Sequence, residues 1–424
     1  TELRKQFSDG SITSEAITAA YLSRIKILDR NGPSLRSFIS LNPNALDHAR
    51  ASDERRLQNQ TLGSLDGIPV AIKDNIETQD PIPTTAGSTA LIANFSDKDS
   101  PIIRSLRDAG AVILGKTNLS QWANFRSTQS VSGWSSIGGQ VKNPFILDRS
   151  PCGSSSGSAV AVAAGLVALS LGTETNGSII CPSHVNGVVG FKPTVGILST
   201  DGIIPISSTQ DTAGPITNTV RGAAAMMDVI TQNIHQFERN LDESFFRNTR
   251  IGVLRFAQGD NKKINKVFEA SLETLRNNGA KLVDIHYFSL TDTQFWDHEL
   301  AVLETEFSEL INQYLATRNV GTGPRSLSEL IEFNQDNETV ELALFGQEHF
   351  KSAAKRPDRT SSEYISAAQS IKRAASLEGI DHLLRSSGSD LLIAPSGPLA
   401  PPIDLINGDV WPASIGAGYL AAVA

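Results

Sequence analysis

Between Cys152 and Pro182 the chain reads CGSSSGSAVAVAAGLVALSLGTETNGSIICP, two serine-bearing glycine turns separated by one short helix and one short apolar strand. Gly153 and Gly157 bracket three serines, and glycine serves where a backbone takes positive φ or comes close to another group. The alanine-rich run Ala159–Ala164 predicts a helix that Gly165 stops. Leu166–Leu171 reads as a buried strand and Thr173–Ser178 as a second polar turn. Both serine turns are therefore expected at the same end of one sheet. Backbone N–H groups left free in such a turn can converge on one point, which is what stabilising an oxyanion requires. Tight packing of small residues would explain one such turn as well; it explains two, so close together and with so little bulk between them, less well.

A third element lies upstream in Gly67–Ile76, GIPVAIKDNI. Val70 and Ile72 predict a strand with Lys73 at its polar end. A lysine in that position is ordinarily a solvated charge. Held in a desolvated site it loses its proton near neutral pH and acts as a base. The segment by itself leaves both readings open.

Taken together these segments resemble the amidase signature family of serine hydrolases, over most of the chain. Lys73 falls on the family's lysine in AIKDN, Ser154 on the bridging serine, and Ser178 on the nucleophile of TETNGSI. LDGIPVAIKDN, GAVILGKTNLSQWA, NPFILDRSPCGSSSGS and GVVGFKPTVG match as well, and LDRSPCGSSSGS, TETNGSIICP and Phe345-Gly346-Gln347-Glu348 are most similar to peptide amidases. The resemblance implies an α/β fold, a large twisted mixed β-sheet covered by helices on both faces. It also implies a Ser–cisSer–Lys triad of Ser178, Ser154 and Lys73, with backbone N–H groups of Thr175, Asn176, Gly177 and Ser178 holding the oxyanion. Ser155 and Thr173 are candidates to orient the lysine or the loop, and Glu174 is expected to be structural. Two departures stand out. Ile180 replaces the arginine that many members carry two residues after the nucleophile, which argues against selection for a small acidic amide. Ser156 replaces a more usual glycine, with Gly157 retained.

Two other motifs fit less well. Gly153–Gly157 satisfies G-x-S-x-G, which would make Ser155 a nucleophile, but that elbow must follow a strand and Asp148-Arg149-Ser150-Pro151 is poor strand material. Gly110–Thr117 satisfies G-x-x-x-x-G-K-[ST], yet the residues between its glycines are themselves an apolar strand, so no phosphate loop is expected. Ser100-Pro101 reads as the start of the preceding helix. The histidines at 48, 184, 235, 286, 298, 349 and 382 show no zinc spacing, and His184 is expected to be packed or on the surface. No metal or cofactor is expected. Cys152 and Cys181 are the only cysteines, each beside one serine turn; two cysteines define no framework, and two buried free thiols are the expectation.

A net charge of −8 leaves no broad basic surface, so nucleic acid is not an expected partner. The longest apolar run, Ala159–Leu171, is shorter than the ~20 residues that span a bilayer, so no membrane is expected either. A soluble protein follows, with the cytoplasm favoured over export; the oligomeric state is open. Thr13–Leu28 and Leu46–Leu57 read as amphipathic helices. Arg250–Phe256, Lys262–Asn277 and Lys281–His286 read as strand, helix and parallel strand, and Leu391–Ala394 as one more strand. One domain over 1–424 is expected, with a catalytic core at about 60–220 and a helical cover at about 290–390. The chain stops within GYLAAVA, where the resemblance implies further strands. The expected activity is hydrolysis of a small amide or amidated peptide, releasing ammonia from C-terminal carboxamides. The alternatives are an ammonia-generating subunit of a tRNA-dependent amidotransferase and an inactive scaffold of the same fold.

Overall fold

Alternation of side chains along buried strands decides the architecture. The computed structural model describes residues 2–232, 234, 236–318, 323–411 and 415–424; His235 lies outside them. Six strands form the main sheet: β1 (Phe38–Leu41), β2 (Pro69–Lys73), β3 (Val112–Thr117), β4 (Leu169–Glu174), β5 (Val189–Gly190) and β6 (Thr212–Thr217). Their order is β1-β3-β2-β4-β6-β5. β2 lies parallel to both β3 and β4, while β4 and β6 are antiparallel.

Because side chains of a strand point alternately to the two faces, Val70 and Ile72 enter one core and Ala71 another. Named in chain order, the helices around them are α1 (Ser14–Arg24), α2 (Ala45–Leu57), α3 (Pro101–Asp108), α4 (Ser156–Ala163), α5 (Ile180–Val185) and α6 (Val220–Ile230). On the first face α3 contributes Ile102, Ile103 and Leu106, and α6 contributes Met226, Met227 and Ile230. On the second, Ala45 and Ala49 of α2 and Ala159–Val162 of α4 fill the core. Thr13 caps α1 by accepting from Ala16 N at 3.1 Å, and the helix runs on through a π-helical turn, Ile25–Arg30. Pro101 opens α3, where a missing N–H costs nothing.

Some boundaries differ from expectation. α4 starts at Ser156, inside the serine turn, and the following strand is shifted to Leu169–Glu174. Thr173 is thus a strand residue, paired with Ala213 of β6; tertiary pairing overrides its polar, turn-like surroundings. Val112, Ile113 and Leu114, between Gly110 and Gly115, lie in β3, as the strand reading required, and the strand runs on to Thr117.

β7 (Arg250–Leu254), α7 (Lys262–Asn277) and β8 (Lys281–Ile285) make the expected parallel unit. β9 (Leu391–Ile393) joins β7 from the other side, also parallel. These three form a sheet separate from the main one. α8 (Phe295–Thr317) and α9 (Leu327–Asp336) pack Phe307, Ile311, Leu315, Leu327 and Leu330 against Trp122, Ile204 and Ile206 of the sheet's loops. Among the described residues no helix is long and apolar enough to cross a membrane.

Candidate active site

The ends of β2 and β4 meet at one edge of the main sheet. Ile72 pairs with Leu171, so Lys73 and Thr173, still paired with Thr117 and Ala213, lie side by side near the ends of their strands. Lys73 is fully buried, not solvated. Its Nζ lies 2.7 Å from Ser154 Oγ, 2.8 Å from Thr173 Oγ1 and 3.2 Å from Thr173 O. Burial pushes its pKa down to about 7, against the opposing pull of Asp211 and Glu174. A neutral amine has two N–H donors and one lone pair. The three contacts fit that inventory, with the two Thr173 oxygens as acceptors and the Ser154 hydroxyl as donor. Asn75 Nδ2 also donates to Thr173 Oγ1, at 3.0 Å.

The first serine turn brings Ser154 to the lysine. The Gly153–Ser154 peptide bond is cis, and Ser154 O accepts from Ser120 N at 3.1 Å. Gly157 is required by close approach: a Cβ there would stand 2.2 Å from Ser37 O and 2.5 Å from Asn118 O. Ser155 does not line the cavity. Its Oγ donates to Thr173 O at 2.9 Å, and its N–H donates to Ser178 O at 3.1 Å, so it links the two turns.

Ser178 and Ser154 line one small cavity with Asn75, Ala123, Thr173, Thr175, Ile203, Ile204, Ile206 and Asp211. Its accessible volume of about 10 Å³ leaves room for roughly one water. The turn that carries Ser178 takes positive φ at Gly177, +86°. Among the described residues, nothing accepts from the backbone N–H groups of Thr175, Asn176, Gly177 or Ser178. Three carboxylates hold this turn. Glu174 Oε2 accepts from Ile179 N at 2.6 Å and Ile180 N at 2.9 Å. Asp211 Oδ1 accepts from Thr175 Oγ1 at 2.6 Å, and Glu299 Oε1 from Asn176 Nδ2 at 2.7 Å. Burial raises the Asp211 pKa to about 6.

The cysteines correct the expectation of free thiols: Cys152 and Cys181 form a disulfide with Cα atoms 5.9 Å apart. The two turns converge, which brings together residues 29 apart in sequence. His184 is packed, its ring nitrogens 3.1 Å from Cys181 O and 2.8 Å from Pro398 O. Sequence reasoning missed Asn75, Asp211 and Glu299. Asn75 sits two residues past Lys73 and carried a signal; a lone aspartate in TQDTAGP and a glutamate on a distant helix did not.

The profile of the amidase family matches residues 16–407. The crystal structure of native peptide amidase from Stenotrophomonas maltophilia superposes with a TM-score of 0.92 at 42% identity, over 99% of this chain and 87% of that one. An Arabidopsis thaliana protein named probable amidase is 37% identical over 92% of this chain and 78% of its own length. A glutamyl-tRNA(Gln) amidotransferase subunit from Chloroflexus aurantiacus is 39% identical over 70% of this chain and 61% of its own length. The chain belongs to the amidase signature family and is an amide-hydrolysing enzyme.

Proposed function

We propose that this enzyme removes the C-terminal carboxamide of peptides as ammonia, through an acyl-enzyme on Ser178. The observation that carries the reading is Lys73 Nζ at 2.7 Å from Ser154 Oγ, with Ser178 on the wall of the same cavity. Neutral Lys73 takes the Ser154 hydroxyl proton while Ser154 takes that of Ser178, whose Oγ bonds to the amide carbon. The oxyanion meets the unpaired N–H groups of the Thr175–Ser178 turn, donors already oriented before reaction. The proton returns through Ser154 to the amide nitrogen, the C–N bond breaks, and ammonia leaves. Water then attacks the acyl ester by the same relay.

The peptide carboxamide as substrate is supported by the likeness to peptide amidase along nearly the whole chain. The apolar wall of Ile203, Ile204 and Ile206 and the Ile180 in place of arginine also favour a neutral amide over an acidic one. Likeness to the amidotransferase subunit sustains a second reading, ammonia production from glutamine within a complex. Ammonia release from an amidated dipeptide and from glutamine, by wild type, Ser178→Ala and Ser155→Ala, separates them. The proposal expects carboxamide turnover by the isolated chain, abolished by Ser178→Ala and retained in part by Ser155→Ala. Glutamine turnover that appears only with added subunits would replace it with the second reading.

A further inference from the structure

The cover helix reaches into the site. Glu299 and Glu306 lie seven residues apart on α8, on one face of the helix, and both are buried. Glu306 is fully occupied with the 207–209 segment and Tyr364: it accepts from Ser207 Oγ at 2.6 Å, Ser208 N at 2.8 Å and Tyr364 OH at 2.6 Å. Glu299 has a different pair of donors, Asn176 Nδ2 at 2.7 Å and Gln210 Nε2 at 3.1 Å, both on Oε1. One belongs to the turn that carries Ser178, the other is the chain neighbour of Asp211. A buried carboxylate is expensive unless its hydrogen bonds are made, and among the described residues this one makes them to the two segments that wall the cavity. Asn176 lines the outer groove with Gly177 and Trp296 and does not line the catalytic cavity.

We propose that Glu299 is a positioning residue for amide hydrolysis: through the Asn176 side chain it fixes the turn whose N–H groups receive the oxyanion. The inference rests on the Ser178 reading given above. Successive residues of the turn are then clamped from two sides, Thr175 by Asp211 and Asn176 by Glu299, and a donor held in place before reaction needs no reorganisation during it. No group on Glu299 enters the chemistry; its effect belongs to the transition state, because the ground-state carbonyl gains less from the turn than the oxyanion does.

The test is steady-state kinetics on an amidated dipeptide for Glu299→Ala, Glu299→Gln, Asn176→Ala and the Glu299→Ala/Asn176→Ala double variant, with active sites counted by a serine-acylating fluorophosphonate. Glu299→Ala and Asn176→Ala are each expected to lower kcat per titrated site by about 10- to 100-fold, with KM within about twofold, since a misplaced donor costs less than a deleted one. Glu299→Gln, which keeps an oxygen for Asn176, restores most of the rate. The double variant is no slower than the slower single, because both changes cut one connection. A residue that only supported folding would lower the number of titrated sites and leave kcat per site unchanged. That result, or additive losses in the double variant, overturns the proposal. Where Glu299→Ala fails to fold, Asn176→Ala and Glu299→Gln decide by the same criteria. Ser178→Ala run in parallel keeps the two readings apart: activity surviving there defeats the Ser178 reading, whereas a dead Ser178→Ala beside a fully active Asn176→Ala defeats this inference alone.

Discussion

At Lys73 two effects compete, and in the proposed mechanism their balance sets the working pH. Burial removes the water that would stabilise an ammonium, while Asp211 and Glu174 favour the charged form. Burial wins and leaves the pKa near 7, down from 10.5. The base form is the unprotonated one, so kcat/KM is expected to climb as pH rises through about 7, measured on a carboxamide substrate. Removing the Asp211 charge takes away part of what raises that pKa. Asp211→Asn should therefore displace the acid limb to lower pH, and a limb that stayed in place or moved up would contradict the assignment. The same shift has a stability consequence. Between about pH 7 and 10.5 the unfolded chain binds a proton on this lysine that the folded one does not, so this group's contribution to stability rises with pH across that window. Lys73, Ser154 and Ser178 were legible in the sequence because their neighbours are glycines, serines and short apolar runs with a distinctive order. Asp211 and Glu299 were not, because a carboxylate acquires its role from what folding places beside it, and neither sits in a local pattern that announces a partner.

The element that carries both serine turns is a ring, closed by the Cys152–Cys181 bond around α4 and β4. The one helix and one strand inside it were anticipated in kind and order but not in position: α4 starts at Ser156 and not Ala159, and β4 at Leu169 and not Leu166. The displacement of β4 to Leu169–Glu174 arose because six consecutive pairings with β6 outweigh the polarity of Thr173 and Glu174. The disulfide was misread for a different reason: the two serine turns were expected at one end of the sheet, but two cysteines by themselves define no framework. Closing a loop of this length restricts the unfolded chain, so a Cys152→Ala/Cys181→Ala variant should lose about 3–4 kcal/mol in denaturant titration. Equal midpoints for the variant and wild type would show that the bond does not stabilise the fold. Gly157→Ala is a sharper probe of the same element. Its Cβ would meet the main chain of residues 37 and 118, which cannot swing aside, and a loss of about 3 kcal/mol, the upper end for such overpacking, is expected. A thermal midpoint unchanged from wild type would refute the close approach.

Across the whole molecule, the polar hub at Glu341 joins the helical cover to the sheet's loops. Its carboxylate accepts from Ser88 Oγ at 2.9 Å, Thr89 N at 2.8 Å, Gln121 Nε2 at 2.5 Å and Ser136 Oγ at 2.9 Å. The fully buried Arg126 lies against it, with a guanidinium stacked over Phe345. Removing one member of a buried charged group leaves the rest unpaired, so Glu341→Ala should cost about 3–5 kcal/mol by equilibrium unfolding. A loss below about 1 kcal/mol would mean the hub is dispensable. The mixed direction of the main sheet carries a further consequence. β2 and β4 run toward the site and β6 runs away from it, so Asp211, just before β6, starts where Lys73 and Thr173 end. Were β6 parallel to its neighbour, its six residues would put that aspartate about 20 Å away at the opposite rim. Coulomb attraction weakens with distance, so from there its pull on the lysine would be small. The reversal of strand direction between β4 and β6 is what sets a second anion beside the lysine, and with it part of a proton affinity suited to neutral water.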